Sequence, residues 1–190
     1  MSGASHPVVG VFGGTFDPPH AAHLELARIV LEHGAADRIL FVPCFRHAFT
    51  KCPAAFAHRV AMCELLVADE PRMEVSRIEE TLANPGRTLD VVEALEAARP
   101  GDRLRLVVGG DIFFEREKWY RYEEIERRAP PVYVARRGVP AIPLPALPAP
   151  ADLRSSSIRE RIAAGADPRG LLPARVAEYI VRHGLYGGGT

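Results

Sequence analysis

The apolar residues of this chain recur with two different spacings, one typical of strands and one typical of helices. A short run rich in β-branched residues, Val8 to Phe12, ends at Gly13-Gly14, which predicts a strand that stops at a tight turn. From Ala21 to His33 the spacing becomes helical, and Gly34 follows as a candidate helix terminator. The apolar face of this helix is formed by Leu24, Ala27, Val30 and Leu31. The chain is therefore expected to open with a strand, a glycine turn and an amphipathic helix.

The same alternation of strand and helix continues along the chain. Further strands are predicted at Arg38 to Val42, Met73 to Val75, Leu104 to Val108 and Val132 to Ala135. Further helices are predicted at Phe56 to Ala68, Leu89 to Ala98 and Ile112 to Arg127. Strands that alternate with helices join through right-handed crossovers into a parallel sheet covered on both faces. The sequence therefore predicts an α/β fold with a Rossmann-like, doubly wound parallel sheet.

The C-terminal part of the chain departs from this alternation. Residues 138–151 contain five prolines, which favour an extended connector without donors for a sheet ladder. Ser155-Ser156-Ser157 then precedes IRERI, a hydroxyl-rich start typical of a capped helix. A last helix is predicted from Pro173 to His183, with Gly184 as its stop. We expect one domain over residues 1–190, with a small C-terminal helical part at 152–190.

Charge and composition exclude several kinds of partner. The 190 residues include 24 basic and 24 acidic side chains, so no overall field attracts nucleic acid or an anionic membrane. No segment reaches the roughly 18 apolar residues of a membrane span, and no secretion signal is visible. Cys44, Cys52 and Cys63 show no C-x-x-C spacing, which argues against a disulfide framework or zinc ribbon. A soluble cytoplasmic protein is expected, and assembly into a homo-oligomer stays open.

The segment from Gly13 to His23, GGTFDPPHAAH, combines features of a ligand site. It follows the first strand and opens a helix, where free backbone N–H groups and the helix dipole favour an anion. It is neither a Walker loop nor a dinucleotide fingerprint. His20 and His23 share one face of the first helical turn, which suits a metal pair or two donors to one anion. Asp17 is the nearby candidate for a third metal ligand, and two solvated histidines on a capped helix are the plain alternative.

Several motifs in order along the chain resemble the T/HxGH nucleotidyltransferases. The first, GGTFDPPH, is similar to the signature of the bacterial nicotinate-mononucleotide adenylyltransferases, usually written GGTFDPxHxGH. The later segments with family-like order are VVGGDIFFE, KWYRYEEI, VARRG, SSSIRERI and LLPARVAEYIVRHGLY. The resemblance covers nearly the whole chain. It implies that the phosphate of a mononucleotide attacks the α-phosphorus of ATP and that pyrophosphate leaves.

The resemblance also implies roles on the ATP side. His20, His23 and Arg159 are the implied catalytic residues, which hold the phosphates of ATP and the leaving pyrophosphate. The implied ATP-binding residues are Gly13, Gly14, Thr15, Phe16, Gly109, Asp111, Ser155 and Ser156. Mg²⁺ is expected on the triphosphate rather than in a cage of protein ligands.

On the acceptor side the resemblance implies a site for the ring and the phosphate of a mononucleotide. The implied acceptor-binding residues are Thr88, Trp119, Tyr120, Arg136 and Lys51. Trp119 would stack on the nicotinate ring, and Arg136 would face the phosphate. The residues alone also allow plainer roles, namely core packing for Trp119, a solvated surface for Arg136 and helix capping for Asp111.

Four departures from the family pattern bear on function. Ala22 replaces the glycine of H-x-G-H, and Arg154 replaces the first serine of ISSTxIR. The loop PCFRHAFTKC lacks the usual P-P-H-K, so that Arg46, His47 or Lys51 would supply its positive charge, and Gly86-Arg87 replaces S-Y before Thr88. Nicotinate mononucleotide is therefore the first expectation for the acceptor. Nicotinamide mononucleotide, phosphopantetheine and a nucleotide-binding protein without turnover stay open.

Overall fold

The computed structural model describes residues 6–45 and 54–187. Within these ranges the strands are β1 (Val8–Gly14), β2 (Arg38–Pro43), β3 (Met73–Val75), β4 (Arg103–Gly109), β5 (Pro131–Val134) and β6 (Ala146–Leu147). The α-helices are α1 (Ala21–Glu32), α2 (Phe56–Val67), α3 (Thr88–Ala98), α4 (Asp111–Glu115), α5 (Tyr122–Arg128), α6 (Ser155–Ala163) and α7 (Ala174–Arg182). Short 3₁₀ helices lie at Ile78–Thr81, Arg116–Lys118, Pro168–Gly170 and Leu185–Gly187.

The six strands form one parallel sheet in the order β3-β2-β1-β4-β5-β6. Each strand places alternate side chains on opposite faces, so both faces carry an apolar layer. On one face Ile39 and Phe41 pack with the buried residues of α1, α2, α6 and α7. On the other face Leu40 and Val42 pack with those of α3 and α5. The predicted doubly wound α/β fold is therefore confirmed.

Most predicted elements lie within two residues of the observed ones. The main exception is the helix predicted from Ile112 to Arg127, which is wrong because the chain forms α4, a 3₁₀ turn and α5 instead. Arg121, just before α5, has a left-handed backbone with φ of 53°. This backbone conformation is uncommon for a residue with a Cβ, and it interrupts the helix between Trp119 and α5.

Three smaller differences concern the ends of elements. β1 continues to Gly14 and does not stop at Phe12, because Gly13 and Gly14 still pair with β2. The 138–151 connector includes the short strand β6, which pairs with β5 at the edge of the sheet. Arg154 rather than a serine occupies the N-cap of α6, with no side-chain capping bond. None of the described helices is long and apolar enough to cross a membrane.

Candidate active site

A cleft opens at the carboxyl ends of β1 and β4. These strands are neighbours in the sheet, although the chain leaves β1 toward β2 on the other side. In open α/β sheets the crevice at such a reversal of strand order is the usual place for a ligand. The cleft has a volume of about 610 Å³. The predicted ATP-side residues that line it are Gly13, His20, His23, Gly109, Asp111, Ser155 and Ser156.

A smaller pocket of about 180 Å³ adjoins this cleft. The two spaces share lining residues at the ends of β1 and β4, namely Gly13, Val107 and Val108, together with Trp119. Thr88, predicted on the acceptor side, lines the smaller pocket, and so do Gly14 and Thr15 of the ATP-side prediction. A Cβ built on Gly13 would meet no atom within 4 Å. Because Gly13 has no side chain, this space stays open where the two pockets meet.

The two histidines lie stacked at the start of α1. Their ring centroids are 3.7 Å apart, and the backbone N–H of His20 donates to Nδ1 of His23 at 3.1 Å. Because Nδ1 of His23 accepts this bond, a neutral His23 carries its proton on Nε2. His20 is 3% exposed, and its Nδ1 is buried with no partner among the described residues. Each ring therefore keeps one polar nitrogen that α1 itself does not use.

Burial controls the charge of these rings. It lowers the pKa of His20 to about 4. It also lowers the pKa of His23 well below the ordinary value, helped by the nearby charges of His20 and Arg136. Both rings are therefore neutral near pH 7, and each can donate one N–H. Asp17, the candidate third ligand of a metal pair, instead accepts a bond from the hydroxyl of Tyr186 at 2.5 Å.

The lowered pKa of His20 makes a prediction for folding stability. A buried neutral imidazole stabilises the fold above its unfolded pKa, and that contribution is lost as the pH falls toward its folded pKa. When the pH falls from about 7 to about 4.5, the titration of His20 should lower the free energy of unfolding by about 2 kcal/mol. Urea denaturation at both pH values should therefore show a smaller acid loss for His20→Gln than for the wild type. The matched variant His33→Gln, which alters an exposed histidine, should lose as much stability as the wild type.

The C-terminal helices hold the loop that carries the histidines. The hydroxyl of Ser155 donates to the carbonyl of Pro18 at 2.8 Å, and Nη1 of Arg159 donates to the carbonyl of Asp17 at 2.6 Å. Tyr186 adds its bond to the Asp17 carboxylate. Phe16, which has a φ of 51° and is 2% exposed, packs its ring among Phe12, Phe41 and His23 rather than in the cleft. The loop is thus fixed from outside by helix α6 and from beneath by an aromatic cluster.

Asp111 and Arg136 form an ion pair on the wall of the larger cleft. Nη1 of Arg136 lies 2.6 Å from Oδ2 of Asp111. A Cβ on Gly109 would come within 2.4 Å of Oδ1 of Asp111, so glycine is required there for this position of the carboxylate. Arg136, predicted to bind the acceptor, lines the larger cleft and not the smaller pocket. Its guanidinium is therefore beside the residues predicted for ATP.

Trp119 and Tyr120 lie in the break between α4 and α5. Trp119 lines both the cleft and the smaller pocket. The side chain of Tyr120 is 53% exposed, and the guanidinium carbon of Arg87 lies 4.7 Å from its ring centroid. Tyr120 thus contributes its side chain to a contact with Arg87 outside the pocket. Lys51, the remaining acceptor-side prediction, falls outside the described residues.

Comparisons with known proteins identify the family. Residues 11–161 match the model of the cytidylyltransferase-like family. A probable nicotinate-nucleotide adenylyltransferase of Anaeromyxobacter sp. (strain K) is 39% identical over 192 aligned positions, which cover 99% of this chain and all of that protein. A protein of Myxococcus xanthus (strain DK1622) with the same name is 37% identical and covers 94% of each chain. The chain belongs to the nicotinate-nucleotide adenylyltransferase family.

Solved structures have the same fold as this chain. The nicotinic acid mononucleotide adenylyltransferase of Plasmodium falciparum, in complex with NaAD, superposes with a TM-score of 0.82 at 16% identity. That match covers 97% of this chain and 99% of the Plasmodium chain. A putative nicotinate-nucleotide adenylyltransferase of Vibrio parahaemolyticus gives a TM-score of 0.72 at 23% identity, with 97% of each chain covered. At such identities the likeness concerns the fold.

Two departures from the adenylyltransferase pattern lie on the larger cleft. Ala22 is 5% exposed and lines the cleft, so its methyl group forms part of the wall next to His23. Arg154 also lines the cleft, with its side chain 58% exposed and Nε 3.9 Å from the nearest Asp152 oxygen. The added methyl group of Ala22 therefore narrows the cleft, whereas the added guanidinium of Arg154 places positive charge at the rim of the cleft.

Sequence reasoning missed three polar residues near the adenylyltransferase pockets. They are Tyr186, which bonds to Asp17, and the buried charges Arg59 and Glu79. Arg59 falls within the apolar spacing of α2, where a charged residue could have raised a question, since charges are rarely fully buried without partners. Tyr186 and Glu79 bind partners as far as 169 and 34 positions away in the chain, so no local pattern indicates them.

Proposed function

We propose that this protein transfers the AMP part of ATP to nicotinate mononucleotide, forming deamido-NAD and pyrophosphate. The observation that carries the proposal is the pair of adjoining pockets at the ends of β1 and β4, which meet at Gly13 and Trp119. Two spaces that share one wall suit a reaction in which two nucleotides are joined. Relatives that align over nearly the full chain bear the name of this activity.

The reaction needs positioning more than covalent help from the protein. An oxygen of the acceptor phosphate forms a bond to the α-phosphorus of ATP. The bond from that phosphorus to the bridging oxygen breaks, and pyrophosphate leaves with the electron pair. For such transfers, alignment of the reactants and stabilisation of the shifting charge supply most of the acceleration.

On the ATP side, neutral His20 and His23 donate N–H groups to the charge that moves toward pyrophosphate. Because His20 is already buried and stacked on His23, little reorganisation is needed when that charge develops. The described residues show no group of three His, Cys, Asp or Glu side chains arranged to hold a metal. Mg²⁺ would be held by the triphosphate oxygens of ATP and would supply positive charge there.

On the acceptor side, Trp119 offers its ring face to the nicotinate ring, and the smaller pocket beside Thr88 receives the ring carboxylate. Backbone N–H groups near Thr88 and Tyr120 are suited to an anion. A carboxamide would present its own NH₂ to those donors, which would leave donors opposed and unpaired.

Acceptor selectivity gives a quantitative prediction. Because an unpaired buried polar group costs on the order of 1 to 3 kcal/mol, kcat/KM for nicotinate mononucleotide should exceed that for nicotinamide mononucleotide by about tenfold to a hundredfold or more. Trp119→Ala should weaken both acceptors while the preference persists, since stacking does not distinguish acid from amide. Steady-state assays with both nucleotides provide the measurement. Equal use of the amide nucleotide would overturn the nicotinate assignment.

Pyrophosphate release from Mg·ATP, measured against a panel of acceptors, tests the proposed activity as a whole. The panel should include nicotinate mononucleotide, nicotinamide mononucleotide and phosphopantetheine. Release with the first and formation of deamido-NAD are the expected results. Binding of ATP without pyrophosphate release for any acceptor would instead indicate a nucleotide-binding protein without turnover.

A further inference from the structure

Two opposite charges lie buried beside the smaller pocket, and neither belongs to the proposed chemistry. Arg59 on α2 is 1% exposed, and Glu79 in the 3₁₀ helix after β3 is 7% exposed. Burying charged groups is costly unless they gain hydrogen bonds and a partner charge. Their partners therefore indicate what the two side chains hold together.

Arg59 binds backbone carbonyls from separate segments. Its Nη1 donates to Thr15 at 2.8 Å, in the loop that leads to the histidines. Its Nε donates to Ala54 at 3.2 Å, and its Nη2 donates to Phe45 at 3.5 Å. The guanidinium thus joins the histidine loop to the backbone after β2 and to the backbone that leads into α2.

Glu79 binds backbone N–H groups of two segments. Its Oε2 accepts the N–H of Phe45 at 2.8 Å and the N–H of Gly86 at 3.1 Å. Arg59 and Glu79 therefore bind the same residue, Phe45. Arg59 binds its carbonyl, and Glu79 binds its N–H. Gly86 lies two residues before Thr88, so the carboxylate also ties down the start of α3.

The tied segments are the walls of the smaller pocket. That pocket is lined by Thr15 and Cys44, by Glu79 itself, and by Gly86 and Thr88. Apart from Glu79, each of these lies on, or within two residues of, a backbone group that Arg59 or Glu79 holds. The chain of bonds runs from Thr15 through Arg59, Phe45 and Glu79 to Gly86, and so links the histidine loop to the segment that leads into α3.

We infer that Arg59 and Glu79 are positioning residues, which together form a brace that fixes the walls of the acceptor pocket relative to the histidine loop. The inference rests on the proposed function in assigning the acceptor to this pocket. Neither side chain acts on the reacting atoms. The brace aligns the acceptor, so its loss should affect acceptor binding more than ATP binding.

Glu79 is the better position for a test, because two substitutions separate its roles. Glu79→Leu removes both N–H bonds, whereas the amide oxygen of Glu79→Gln can keep them without the charge. Fluorescence of Trp119, the only tryptophan, reports acceptor binding directly in titrations with nicotinate mononucleotide. Glu79→Leu should raise the Kd by about tenfold, and Glu79→Gln should restore it to within about threefold, while the KM for ATP changes by less than about twofold.

A matched control separates this effect from general destabilisation. Ile180→Val removes a methyl group from a residue of α7 that is fully buried, and Ile180 lines neither pocket. It should lower the melting temperature without moving the Kd for nicotinate mononucleotide. Equal shifts in Kd and in the KM for ATP for Glu79→Leu, or no shift in either, would overturn the brace.

Amide hydrogen exchange of the ligand-free protein tests the brace without relying on the acceptor. Glu79 does not bond to residues 13–16, yet exchange there should accelerate in Glu79→Leu, because Phe45 is then no longer held by Glu79 and so anchors Arg59 less firmly. Unchanged exchange at 13–16 would refute the link from Glu79 to the histidine loop. If the wild type binds no nicotinate mononucleotide, the proposed function fails, and this measurement still decides on the brace.

Discussion

Replacing either His20 or His23 with alanine should lower kcat by about 10² to 10³, which corresponds to roughly 2.7 to 4 kcal/mol of transition-state stabilisation. Both rings line the larger cleft, His20 is buried, and the pKa values of both are lowered so that they meet the phosphates as neutral donors. The effect should fall on turnover because donors of this kind act on charge that develops only as pyrophosphate leaves. Pyrophosphate release under saturating ATP and acceptor provides the measurement.

His33→Ala is the matched control for these variants. His33 caps the C-terminal end of the same helix, is exposed and lies far along α1 from the cleft. Its turnover should equal that of the wild type. If folded His20→Ala and His23→Ala variants keep more than about a tenth of wild-type turnover, the two histidines serve as part of the helix start and not as catalytic donors.

Hydrophobic spacing was sufficient to predict the sheet and most of the helices. The β2 segment from Ile39 to Val42 is buried on both faces, and its continuous apolar run is typical of a central parallel strand. Helix α1 ends where Gly34 takes a φ of 66°, as the glycine after the apolar stripe indicated. These elements can be predicted locally because the spacing of their apolar residues reflects both their secondary structure and the faces that they bury.

The break around Trp119 could not be predicted in this way. No glycine or proline interrupts residues 112–127, and the left-handed backbone falls on Arg121. Tertiary contacts select the break, since Tyr122 turns inward to bond to Tyr133 on β5 while Trp119 lines the pockets. Local propensity carries no information about a partner on another strand.

The candidate site was likewise predictable only in part from the sequence. The residues of the motif could be named from their resemblance to a family, and the structure brings most of the ATP-side set to one cleft. The residues that hold the motif loop could not be named, because Tyr186 is 169 positions from Asp17, and Arg59 is 44 positions from Thr15. Such bonds depend on the packing of whole helices against the sheet.

Substituting lysine for Arg159 should reduce kcat/KM for ATP although the charge is kept. Arg159 does not line the larger cleft, and its Nη1 donates to the carbonyl of Asp17 at 2.6 Å, so we expect the other N–H groups of the guanidinium to reach the outer phosphates when ATP is bound. Lysine has a single nitrogen and cannot do both at the same geometry. Because hydrogen bonds to charged groups are worth about 1.5 to 3 kcal/mol, we expect a loss of about 10- to 150-fold.

The comparison of ATP with AMP tells where Arg159 acts. AMP lacks the β- and γ-phosphates, so calorimetric titration should show its affinity for Arg159→Lys within about threefold of the wild type. Arg161→Lys, on the exposed side of the same helix α6, should leave both ATP kinetics and AMP affinity unchanged. A loss of AMP affinity as large as the loss with ATP would mean that Arg159 acts through the Asp17 loop and the shape of the nucleotide site, because the outer phosphates would then play no part in the defect.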